Sequence, residues 1–223
     1  MIKLKLNNIQ CKIVKKYSQN VNVLGIMIFG SAVSDNFDNF SDVDFYILSK
    51  NEGQYSRYNY LDNGRRVDII FDSLQVVKQY LNEERVGLYR NVSHMLAKGK
   101  IIYQRGKYFQ KLQYFAKKNL ENKIKYPKEK LLMCEYSIDD YYAKSCRDYK
   151  KGDYFSFGVH SGLVISNAVE LVLIKHKEFL RPAPELGILL KKIDESFFAI
   201  LNQYLNSLTA KQKMLNLKRI INY

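Results

Sequence analysis

Four acidic and small-residue features of the 223-residue chain have types and spacing that suit chemistry on phosphate. Gly30-Ser31 is followed after ten residues by Asp42-Val43-Asp44, and a further acid, Asp68, lies inside the segment Arg65-Arg-Val-Asp-Ile-Ile-Phe71. Side chains alternate faces along a strand, so Asp42 and Asp44 share one face and Val43 points into the core. A strand carrying Asp68 beside them would bring a third carboxylate to that face. Three carboxylates at short range repel unless cations stand among them, and a divalent metal is the natural counter-charge. Mg²⁺ prefers carboxylate oxygens and binds best where triphosphate oxygens complete its shell, so the site expects a nucleotide. Gly30 lets backbone approach a phosphate, and Ser31 offers a hydroxyl and an N–H at a strand-to-loop turn. Asp35, Asp38 and Asp72 read as loop or turn residues.

Short strands must position these groups. Val23-Leu-Gly-Ile-Met-Ile-Phe29 is an apolar run that ends at Gly30, as a buried strand before a tight turn would. Ser41 to Leu48 reads as the second strand, with turn chemistry at Asn51-Glu-Gly53 and a ribbon extending from Gln54 to Tyr60. Asp62-Asn63-Gly64 signals a hairpin leading into the strand that carries Asp68, so the sheet is mixed or antiparallel. From Ser73, an N-cap, Leu74, Val77, Tyr80 and Leu81 recur at helical spacing. Lys100-Ile-Ile-Tyr103 is a last short strand, ended by Gly106. Helical periodicity then continues to the C-terminus, broken at Pro127, Lys151-Gly152, Pro182 and Pro184. The expected fold is α+β: a mixed sheet with flanking helices over residues 1–106, then a helical bundle over 107–223.

These features resemble the nucleotidyltransferase superfamily that includes the kanamycin and other aminoglycoside nucleotidyltransferases and DNA polymerase beta. Gly30-Ser31, Asp42, Asp44 and Asp68 match the family's Gly-Ser, Asp-x-Asp and third-Asp pattern in order and strand context, over roughly residues 20–105. The resemblance implies transfer of a nucleoside monophosphate from a nucleoside triphosphate, ATP first among them, to an acceptor hydroxyl. It also implies two Mg²⁺ ions, or Mn²⁺, with Asp42 and Asp44 holding both and Asp68 helping to bind the catalytic one. The helical lobe would bind the acceptor, a small hydroxylated molecule of the aminoglycoside kind. There the family carries a basic glutamate four residues before a lysine on a helix. Asp140 and Lys144 have that spacing, so Asp140 would accept the acceptor's proton while Lys144 touches phosphate; Asp stands where the family has Glu, and Glu135 is a rival base. An ordinary exposed Asp–Lys pair fits the same spacing. His160 and Asn167 share a face of the apolar helix near Val159–Ile174, either lining an acceptor pocket or closing a polar network. Tyr136, Tyr141, Tyr142 and Tyr149 either stack on a ring or fill the core. Related ribonuclease domains carry an Arg followed within a few residues by His, and Arg147 and His160 are too far apart for that.

Composition narrows the class. The formal net charge of +14 favours anionic partners, though the cations are spread widely and also suit a solvated face. It keeps open a second acceptor class, RNA or protein, of the toxin–antitoxin type. A third reading, a non-catalytic nucleotide-binding module, predicts a damaged acid triad, and the triad is intact. Cys11, Cys134 and Cys146 form no CxxC pair, which argues against a disulfide framework and a zinc site. The longest apolar stretch falls short of the ~20 residues a membrane span needs, and the first residues have no export signal, so the cytoplasm is the expected compartment.

Overall fold

The computed structural model describes residues 8–33, 38, 41–50 and 56–223. Asp35, the turn at Asn51-Glu-Gly53 and the start of the chain read for export fall outside them. The described residues form five strands and nine helices, in two units.

In the first unit, helix α1 (Asn8–Ser18) precedes strands β1 (Val23–Phe29), β2 (Val43–Ser49), β3 (Ser56–Asp62) and β4 (Arg65–Ser73). Helices α2 (Leu74–Glu84) and α3 (Asn91–Lys98), strand β5 (Lys100–Gln104) and helix α4 (Tyr108–Glu121) follow. The sheet order is β3-β4-β2-β1-β5. β2 and β4 are parallel and every other pair is antiparallel, so the sheet is mixed. The Asn63-Gly64 turn closes the β3–β4 hairpin with both residues at positive φ, 51° and 77°, the conformation a two-residue hairpin demands. Ser73 caps α2, its hydroxyl accepting from Val76 N–H at 3.2 Å.

Both faces of the sheet are covered, which explains why β1 is apolar without alternation. Ile26, Ile28, Val43, Phe45, Ile47, Val67 and Ile69 pack with Ile13 of α1 on one face. Met27, Tyr46 and Leu48 pack with Val77, Leu81, Leu96, Phe109 and Leu112 of α2, α3 and α4 on the other. Helix α4 therefore goes with the sheet, and the first unit extends past residue 106 to Asn122, with residues 86–89 counted in the second.

The second unit holds α5 (Lys128–Lys151), α6 (Tyr154–Lys175), α7 (Ala183–Ile193), α8 (Glu195–Leu205) and α9 (Ala210–Ile221). α5 ends where Gly152 adopts φ 73°, and Asp153 caps α6 by accepting from Ser156 N–H. The apolar run expected to fall short of a span belongs to the 22-residue α6, long and apolar enough by length and composition to cross a membrane. One face of it belongs to the core: Phe157, Val164, Ala168, Val169, Val172, Leu173 and Ile174 are buried in the cluster that Phe197, Leu201 and Leu217 complete, whereas Phe155, Val159 and Leu163 are exposed.

Candidate active site

The first strand delivers the turn. β1 ends at Phe29, opposite Asp44 in antiparallel register, and the chain enters a 3-10 turn, Gly30–Val33, through Gly30 at φ 65°. The left-handed backbone at residue 30 favours glycine, and a Cβ there would also displace the Asp44 carboxylate, whose Oδ2 lies against it. Ser31 Oγ donates to the Asp42 carbonyl oxygen at 3.4 Å, tying the turn to the residue that opens β2. Upstream, Ser41 Oγ donates to Asp38 Oδ1 at 2.9 Å.

The parallel pairing of β2 with β4 delivers the acids. Asp44 and Asp68 are partners in register, at the end of the face that Tyr46 and Leu48 occupy further along. Val43 between the acids is fully buried on the opposite face, as alternation requires. Asp42 precedes β2, is partly exposed, and lies 3.9 Å from Arg66. Asp68 is buried and paired: Arg57 Nε donates to both its oxygens at 3.0 Å, and a second guanidinium nitrogen donates to Oδ2.

The crowding is visible in Asp44. Burial first, then the charges of Asp68 and Asp42, push its pKa from 3.8 up to about 6, against the opposing pull of Arg57. Burial and the two neighbouring acids together make the charged form of Asp44 costly, a cost that a nearby cation would relieve. Among the described residues no three His, Cys, Asp or Glu side chains are already gathered to hold an ion, and Asp68 is turned to Arg57. The three residues are carboxylates, the ligand type of a hard divalent cation, and both oxygens of Asp68 are taken by Arg57.

Asp72 departs from its expected loop. It lies in β4, buried, and accepts a 2.5 Å hydrogen bond from the Tyr46 hydroxyl. Burial raises both its pKa and that of Tyr46, while the shared hydrogen bond lowers the former. The pair satisfies two polar groups beneath the helices without reaching the acid cluster's face end.

In the second unit, Lys144 Nζ donates to Asp140 Oδ2 at 2.7 Å on α5, both side chains being more than a third exposed. That bond, with the Asp140 charge, raises the pKa of Lys144. Glu135 is exposed. His160 stacks on Tyr141, and its Nδ1 lies 2.6 Å from Asp148, which also accepts from Arg147 at 3.0 Å. Although Asp148 is buried, which alone would raise its pKa, the His160 and Arg147 hydrogen bonds bring it below the usual range. Asn167 donates to Leu163 of its own helix. His160 thus has a side-chain partner on α5, while Asn167 bonds the backbone of its own helix. Tyr149 packs against Phe157 and Tyr154, as a core residue does.

Sequence reasoning missed Arg57, Arg66 and Asp148. The hairpin register held a signal for the first: a turn at Asn63-Gly64 sets Asn59 opposite Asp68 and places Arg57 on the same face, two residues away.

Comparison with known proteins agrees with this architecture. Residues 11–108 match the family model described as Polymerase beta, Nucleotidyltransferase. A solved nucleotidyltransferase-like protein from Exiguobacterium sibiricum 255-15 aligns over 95% of this chain and 73% of its own, with 16% identity and a TM-score of 0.52. Spectinomycin adenyltransferase AAD(9) from Enterococcus faecialis, solved with ATP and spectinomycin, covers 95% of both chains at 14% identity, with a TM-score of 0.39, too low to argue from. No curated protein matches the sequence significantly.

Proposed function

We propose that this chain, whose residues 11–108 match the polymerase beta type of nucleotidyltransferase domain, transfers a nucleoside monophosphate from a nucleoside triphosphate to a hydroxyl of a small acceptor. ATP is the proposed donor, pyrophosphate the leaving group, and a hydroxylated antibiotic of the aminoglycoside kind the acceptor class. The observation that carries this reading is the register of Asp44 with Asp68, with Asp42 two residues upstream and the Gly30 turn against Asp44. The acids would hold Mg²⁺, or Mn²⁺, two ions in all, which when bound would neutralise triphosphate charge and polarise the reacting phosphoryl group. Gly30 and Ser31 would cradle the β- and γ-phosphates with backbone N–H groups and the Ser31 hydroxyl. Lys144 would add a cation toward phosphate, and Asp140, hydrogen-bonded to Lys144, would accept the acceptor proton, with Glu135 the rival. In this reading the first unit binds nucleotide, the second binds the acceptor, and the enzyme works in the cytoplasm.

One observation favours a second reading, transfer to RNA or protein. A cavity of about 940 Å³ in the first unit is lined by Lys78, Arg85, Lys107 and Lys111 together with Tyr108 and Phe115, and by no acidic residue. Much of the rest of the wall is apolar, Leu74, Leu81 and Leu112 among it, so what favours a polyanion is the four cations alone, in keeping with the net charge of +14. An acceptor screen with α-labelled ATP, GTP, CTP and UTP decides between the two. Label moving to hydroxylated small molecules supports the first reading; label moving only to RNA or protein replaces it with the second.

A further inference from the structure

The acid cluster already contains cations. Asp44 and Asp68 are register partners at one end of the sheet, Asp42 lies two residues before Asp44, and the charge that offsets them comes from Arg57, bonded to Asp68 through two nitrogens, and more loosely from Arg66, 3.9 Å from Asp42. The two arginines differ in hold. Arg57 makes charge-assisted hydrogen bonds to a nearly buried carboxylate, whereas Arg66 and Asp42 are a wide, exposed pair.

Arg57 uses both oxygens of Asp68, the atoms a divalent ion would take. A guanidinium and a metal ion on one carboxylate repel each other at short range, so the two compete. The position of Arg57 allows it to yield. Its strand, β3, is an edge strand, and its side chain is half exposed, so the guanidinium can leave Asp68 for solvent, or for a phosphate, without breaking core contacts.

We propose that Arg57 is a stand-in cation: it neutralises Asp68 in the metal-free protein, must withdraw for a metal ion to bind there, and thereby lowers the affinity of the site for metal alone. The inference rests on the metal-binding role proposed above. It has a functional consequence. Metal would enter the Asp68 position readily only alongside a triphosphate, whose oxygens both complete the metal shell and receive the released guanidinium, so metal and nucleotide would bind cooperatively.

The test is Mn²⁺ binding without nucleotide, followed by electron paramagnetic resonance of free Mn²⁺, on the full chain and its R57Q, R57K and D44N variants. Loss of a charge-assisted hydrogen bond from the competing side should make R57Q bind Mn²⁺ on the order of tenfold more tightly than the parent. R57K, which keeps the charge and loses the fork, should fall between them. Equal or weaker Mn²⁺ binding by R57Q overturns the proposal. So does a lowered melting temperature in R57Q with unchanged Mn²⁺ affinity, the signature of an arginine that merely staples β3 to β4. If Mn²⁺ binding is lost in D44N yet insensitive to Arg57, this inference alone fails. If none of the four proteins binds Mn²⁺, the metal reading fails with it.

Discussion

Replacing Asp44 by Asn should abolish turnover and, in the absence of metal, make the protein more stable. The raised pKa of Asp44 means the folded chain holds this proton more tightly than the unfolded chain does. Wild type therefore carries a folding penalty that is absent below the ordinary 3.8, grows between 3.8 and about 6, and is complete above that. A shift of about two units corresponds to roughly 3 kcal/mol if fully transmitted. Asp44 is only about half buried, and solvent screening reduces this to about 1 kcal/mol. For a chain of this size that is a rise of about 2–4 °C in melting temperature. Calorimetry in chelator at pH 7.5 should show the gain, and repeating it below pH 5 should shrink it, because Asp44 is then mostly protonated in the folded wild type. Adding Mn²⁺ together with a nucleoside triphosphate should reverse the order by stabilising wild type alone. An Asn variant no more stable than wild type at pH 7.5, or a gain independent of pH, would refute the claim that burial and the neighbouring acids penalise the Asp44 charge.

Three further substitutions probe separate parts of the site. Gly30→Ala meets a strained left-handed backbone and the Asp44 carboxylate together, and should destabilise the protein by about 1–2 kcal/mol, read by thermal melting, with loss of turnover. Ser31→Ala should weaken productive nucleotide binding by roughly 1.5–3 kcal/mol, visible as a raised nucleotide KM or a lowered kcat; unchanged values would move the cradle elsewhere. Asp140→Asn should lower turnover by ~10²–10⁴-fold with nucleotide binding nearly intact. If Glu135→Gln is the slow variant instead, the base is Glu135.

Much of the fold is written in local signals. The apolar run of β1, the Asn63-Gly64 turn, the Ser73 cap and the Gly152 stop each act within a few residues, and each element lies where its signal predicts. Helices α1 and α3 were not legible: α1 buries only Ile13, and α3 has eight residues. Nor was the boundary of the first unit, because what assigns α4 to the sheet is the burial of Phe109 and Leu112 against residues far away in sequence. Asp42 and Asp44 could be read from their spacing of two, and Asp68 from its place in a predicted strand, although Asp42 precedes β2 and only the parallel β2–β4 register brings Asp44 and Asp68 together. Their arginine partners could not be read so directly. Arg57 reaches Asp68 across a hairpin, and Asp148 is identified only by His160 arriving from the next helix. Asp72 looked like a turn residue because a carboxylate in a buried strand needs a partner, and that partner, Tyr46, sits on another strand.

The central claim is metal-dependent nucleotidyl transfer at Asp42, Asp44 and Asp68. Its most direct test follows α-labelled ATP with Mg²⁺ and a pooled acceptor panel of hydroxylated small molecules, RNA and protein, while chelator is titrated in. The account predicts label transfer and pyrophosphate release that disappear as chelator exceeds Mg²⁺, return when Mn²⁺ is added, and are absent from the Asp44→Asn variant throughout. Transfer that persists in excess chelator, or that Asp44→Asn performs at the wild-type rate, would contradict it.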